Sequence, residues 1–121
     1  MLEPIMNTKI VNLTPHPLNL FAEDGCTVTF EPAETPARVE QTRALVLDLV
    51  TECFHSAPVT QSYFGEVTGV PDPAENTFFV VSLITAQALK AQGRTEDILI
   101  VDAAVRDEKG HIIGCRGFAR V

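Results

Sequence analysis

No stretch of the chain approaches the ~20 consecutive apolar residues that a bilayer-spanning helix needs. The opening residues, MLEPI, lack the basic start and long apolar run of a secretion signal. Cysteine is sparse: Cys26, Cys53 and Cys115 cannot all pair within one chain and form no CxxC. Without an export signal, reduced thiols in a cytoplasm are expected. Lys and Arg number 9 against 16 acids, a net charge of −7, and no basic run occurs. That balance disfavours direct nucleic-acid binding, whose phosphates call for clustered cations. Absent too are a G-x-S-x-G elbow, an HExxH helix and a Walker loop, so no motif argues for catalysis. Cys53 and His55 have no second pair at standard spacing, so neither metal nor cofactor is expected.

What is present is a chain of 121 residues with 45% hydrophobic and 21% charged residues, the composition of a globular protein. Length predicts a single domain over 7–121, behind a loosely ordered N-terminus at 1–6. The acids are dispersed, and the pairs Glu23-Asp24, Glu96-Asp97 and Asp107-Glu108 sit at turns, where solvated loop charge maintains solubility. Period-two alternation marks strands near Ile10–Leu13 and Leu18–Phe21 and through CTVTFEP. Further strands are read in ARVE, VTQSYFGEVTGVP, TFFVV and DILIVD, and a hairpin turns at Glu108-Lys109-Gly110. Gly65, inside a strand, points to a bulge or a close backbone approach.

Ser82 is a good N-cap, Leu83, Ala86 and Leu89 follow at helical spacing, and Gly93 stands where a left-handed cap belongs, predicting a helix over 82–92. The run 42–54 is open: Leu45, Leu49 and Cys53 recur at helical spacing, yet ALVLDLV equally suits a buried strand. The expected class is α+β, a mostly antiparallel sheet with one helix and room for a second.

Several segments in order, NLTPHPL, ARVE, YFGEVTGVP, FVVSLITAQAL and VRDEKGHIIGCRGFARV, resemble a family of small uncharacterised proteins of bacteriophages and bacterial mobile elements. The likeness covers most of 7–121. It implies a genomic setting, with the host bacterial cytoplasm as the location if the chain is phage-encoded, rather than a reaction. The segment 44–58 is longer and more apolar than the family pattern, and TEDILIVD lacks a proline expected after the strand.

His16 is the most distinctive side chain, because Pro15 and Pro17 stiffen the backbone on either side. Such a setting serves either a preorganised site or a corner between strands. Thr14 beside it, Arg43 and Arg106 as anion grips, Tyr63 as a stacking platform, and Ser82 with Thr85 at a helix start complete the candidate ligand-binding set. Each has a plain structural alternative: a turn, a surface ion pair, a packed ring, a cap. Three functional expectations follow. The first is a small-ligand-binding protein, in a phage setting one that sequesters a nucleotide-derived immune signal. The second is an inhibitor that presents acidic surface to a host protein. The third is a hydrolase using His16 as base. Short strands with a single assured helix leave sheet edges uncovered, which points to a homodimer.

Overall fold

The computed structural model describes residues 4–121, so the expectation for the N-terminus falls in part outside the described residues. Residues 4–6 are exposed coil. Nine elements follow in the order β1 (Lys9–Asn12), β2 (Leu18–Phe21), β3 (Thr27–Phe30), β4 (Arg38–Val50), β5 (Ser56–Thr68), β6 (Thr77–Val80), α1 (Leu83–Ala91), β7 (Ile98–Arg106) and β8 (Ile112–Ala119).

Six strands form one sheet in the order β1-β6-β7-β8-β2-β3. Its ends curl toward each other, because Asn12 at the end of β1 bridges Pro32 just beyond β3 and Ala33 donates its N–H to the Asn12 carbonyl at 2.8 Å. The result is a nearly closed barrel with 51% strand and 8% helix. This corrects the expected class on two counts. The protein is mostly β rather than α+β, and its sheet is mixed. β1–β6, β6–β7 and β2–β8 run parallel, against antiparallel β7–β8 and β2–β3. The parallel pair β6–β7 follows from α1: a strand can return beside its predecessor in the same direction only through a crossover, here the helix.

The helix is built from local chemistry. Ser82 Oγ accepts the Thr85 N–H at 3.3 Å, and the C-terminus closes as a Schellman motif. There Gly93 (φ 86°) donates to the Lys90 carbonyl and Arg94 donates to that of Leu89, both at 2.9 Å. Ala86 and Leu89 of α1 pack with Leu13, Phe79, Val81 and Ile98 into the core, flanked by Ala37, Val67 and Val70.

The second segment considered for helix, 42–54, is strand followed by turn. β4 continues to Val50, and Thr51 and His55 close the hairpin loop through an N–H···O bond of 2.9 Å. The helical spacing of Leu45, Leu49 and Cys53 carried no information, because every residue from Glu40 to Ser56 is exposed and no buried face imposes a period. β4 and β5 pair only with each other, as a separate two-stranded arm. Two register shifts bend it, one at Val39/Gln41 beside Gly65 and one at Leu45/Leu47. At Gly65 an added Cβ would lie 3.0 Å from the Glu40 carboxylate.

Arg94 ties the helix exit to the body. Its Nε and Nη2 donate to the two carboxylate oxygens of Asp97 at 3.2 and 2.8 Å, Nη2 also reaches the Pro71 carbonyl at 2.7 Å, and the guanidinium lies 5.7 Å from the centre of the Phe79 ring. Hydrogen bonding from Arg94 holds the Asp97 carboxyl below its ordinary value of 3.8, against a partial desolvation cost. A carboxyl more acidic in the folded state stabilises fully above the unfolded value, and that stability is lost as pH falls through the folded one. Asp97→Asn should therefore lower stability by about 1.5 kcal/mol at neutral pH, the scale of a hydrogen bond to a charged group. Urea titrations should show the gap between the two proteins closing as pH falls below 3.8. A gap independent of pH would remove the ion pair as its cause.

Candidate functional site

The corner that holds His16 is organised by a residue four positions earlier. Asn12 is 2% exposed, at the end of β1. Its Nδ2 donates to the carbonyls of His16 (2.7 Å) and Phe30 (2.9 Å), while its Oδ1 accepts from Thr14 N–H (2.9 Å) and the Thr14 hydroxyl (2.6 Å). Both donors and both lone pairs of the amide are thus used. One side chain bends the backbone over Thr14–His16 and ties β1 to the end of β3. The prolines stiffen the chain around this knot, and the exposed imidazole itself plays no part in it.

Beside that corner lies a groove of about 520 Å³, within the ~300–1,000 Å³ range of small-molecule sites. It is lined by His16 and Pro17, by Leu18 and Asn19 of β2, Ile112 to Cys115 of β8, and Val101 and Ala104 of β7. It lies beside a short junction of β2 and β8: their ladder holds the single partner pair Leu20↔Cys115, supported by Asn19 Nδ2 donating to the Ile113 carbonyl at 3.0 Å. β7 is distorted at the same place. Residues three apart in a strand face opposite ways, yet Val101 and Ala104 both line the groove. Ala103 between them takes the left-handed φ of 53°, a strain of about 1–2 kcal/mol for a residue with a Cβ. Unrelieved strain of this kind concentrates where a backbone shapes a site.

The chemistry of the lining is mild. Cys115 is buried, and desolvation pushes its thiol up, helped by the charge of Asp102 and opposed by a backbone hydrogen bond at Gly117. It stays protonated at neutral pH and is not a nucleophile. His16 and Asn19 supply the polar contacts; no Lys or Arg is among the lining residues. Among the described residues no group of three or more His, Cys, Asp or Glu could hold a metal ion.

The other candidates sit elsewhere. Thr14 adjoins His16 but spends its hydroxyl on Asn12. Ser82 and Thr85 face each other, hydroxyl to hydroxyl at 2.9 Å, and serve as the helix cap. Arg106 donates to the Gly110 carbonyl at 2.8 Å and braces the β7–β8 hairpin. Arg43, bonded to the Thr60 hydroxyl at 2.9 Å, and Tyr63, 46% exposed, lie on the β4–β5 arm. Of the seven, only His16 lines the groove. Asn12, Asn19 and Gly114 belong to no motif that marks a ligand site. For Asn12 a signal existed, since an asparagine two residues before a threonine is able to close an Asx turn.

No helix among the described residues is long and apolar enough to cross a membrane. Comparison with known proteins yields no matching family model, no matching curated protein and no matching solved structure.

Proposed function

We propose that this protein is a non-catalytic binder of a small molecule, held in the groove between β2, β7 and β8. The observation that carries the reading is the groove itself: a mainly apolar trough with two polar side chains, His16 and Asn19, built beside the short β2–β8 junction where β7 is strained. Apolar walls with a few fixed polar groups are what orient small ligands. Pro17, Leu18, Val101, Ala104 and Ile113 would take a flat or aliphatic body, while His16 and Asn19 would take a hydrogen-bonding edge. The lack of a cation in the lining favours a ligand bound through an uncharged part, such as a nucleobase, over one gripped by its phosphates. In a phage setting within a bacterial cytoplasm, a nucleotide-derived signal fits if its base enters the groove and its phosphates remain in solvent.

Thermal shift against nucleosides, cyclic nucleotides, ADP-ribose derivatives and uncharged heterocycles tests this. A ligand at a hundredfold excess over Kd adds about 2.7 kcal/mol, which for a chain of this size raises Tm by roughly 10 °C. Ala104→Phe, which fills the groove from an exposed position, should abolish the shift while leaving the unliganded Tm within a few degrees. A panel without any shift, or a shift that survives Ala104→Phe, overturns the assignment.

A further inference from the structure

The β4–β5 arm is out of place for an isolated chain. A strand pair of 13 residues each spans ~40 Å at ~3.3 Å per residue. A two-stranded ribbon is at best marginally stable in water without a third strand or a packed face. Only the base of the arm, at Ala37, Val67 and Val70, packs against the core. The outer part nevertheless carries Leu45, Val46, Leu47, Leu49, Val50 and Phe54, between 41% and 88% exposed.

The register sorts these residues onto two unlike faces. The pairs Leu47↔Val59, Leu49↔Ala57, Ala44↔Gln61 and Thr42↔Tyr63 fall on one face, and none of these eight residues is charged. The opposite face holds Arg43, Leu45 and Asp48, where Asp48 accepts a hydrogen bond from Ser56 at 2.9 Å. A chain that is 21% charged and has a net charge of −7 thus keeps the outer stretch of this face, from Ala57 to Tyr63 on β5, free of charge, with Glu40 over Gly65 marking its inner limit.

We infer that this charge-free face is an interface between two copies of the chain, with the arms stacked face to face about a two-fold axis. Three points select a second copy as the occupant. An acidic chain repels its own kind except through uncharged surface, and this face is uncharged. Its area is suited to a weak dimer: the stretch from Ala57 to Tyr63 spans ~23 Å, and at ~10 Å wide it covers on the order of 230 Å² per copy, the scale of a transient rather than an obligate interface. Stacking also supplies each ribbon with the packed face that it otherwise lacks, making a four-stranded sandwich out of two marginal hairpins. The modest area implies a dimer that dissociates in the micromolar range, so association depends on concentration. This inference is independent of the ligand groove, which lies on other strands.

The chain provides its own reporter. Tyr63, on the charge-free face, is the single tyrosine, and there is no tryptophan. Sedimentation velocity from 1 to 200 μM should show the mass rising from one chain of 13.2 kDa toward two, with Tyr63 emission becoming protected from acrylamide over the same range. Leu47→Glu/Leu49→Glu should leave a monomer at every concentration with circular dichroism unchanged, since both side chains are half-exposed in the single chain. Leu45→Glu, on the opposite face, should leave the dimer intact. If the double variant unfolds, Tyr63→Arg replaces it and should raise the dissociation constant at least tenfold. A single-chain mass at 200 μM, a dimer that tolerates glutamate at 47 and 49, or one broken equally by Leu45→Glu overturns the inference.

Discussion

Asn12→Ala is expected to be among the most damaging single substitutions in this chain, removing about 3–4 kcal/mol. Alanine leaves the His16 and Phe30 carbonyls and the Thr14 N–H without their partner at a site that is 2% exposed. Each buried group left unpaired costs about 1–3 kcal/mol, moderated where water reaches the exposed side of the turn. For a domain of this size the loss corresponds to a fall in Tm of roughly 12 °C or more. Asn12→Asp separates hydrogen bonding from simple loss of volume. It preserves shape, but its carboxylate would face two carbonyl oxygens with no proton to offer, so at neutral pH it should destabilise at least as much as alanine. His16→Ala, by contrast, should change stability by less than 0.5 kcal/mol, because only the backbone of His16 joins the knot. Urea denaturation of the three variants measures all of this. An Asn12→Asp protein within 1 kcal/mol of the parent would show that the knot does not hold the barrel closed.

What could be read from the sequence, and what could not, divides along a physical line. Local chemistry was legible. The Ser82 cap, the Gly93 terminus, the turn at Gly110 and the alternating strand CTVTF each depend on a few neighbouring residues. Partner choice was not. Nothing within TFFVV or DILIVD reveals that the two strands run parallel, since direction is decided by the helix between them and by which edge the chain returns to. The run RALVLDLV shows the sharper limit. Apolar content ordinarily signals a buried face, but here the residues are exposed on an arm, so the usual inference from hydrophobicity to core fails. At the site, the proline pair drew attention to His16, and the corner was located correctly. The side chain that makes the corner stood in the same seven residues at Asn12, disguised as an ordinary polar residue at a strand end. The groove beside it could not be anticipated, because it depends on how two strands far apart in sequence, β2 and β8, meet.

That junction is also where a single methyl group should do most harm. Gly114 of β8 lies so close to β2 that an added Cβ would sit 2.6 Å from the Asn19 carbonyl oxygen and against the Phe21 ring. Backbone cannot yield as a long side chain does, so Gly114→Ala must push β2 away from β8. Only the Leu20↔Cys115 pairing and the Asn19–Ile113 hydrogen bond join the strands there, and both would be strained or lost. The expected cost is about 3 kcal/mol, at the upper end of overpacking effects. Gly117, three residues further along the same strand, is the control: an added Cβ meets nothing within 4 Å, so Gly117→Ala should shift stability by no more than about 1 kcal/mol in either direction. The two variants also bear on the ligand reading, because Asn19 and Gly114 both line the groove. A ligand bound there should lose at least tenfold in affinity in the Gly114→Ala protein, measured well below its Tm, and nothing in Gly117→Ala. Equal affinity in both would place the ligand somewhere other than between β2 and β8, whatever the stability data show.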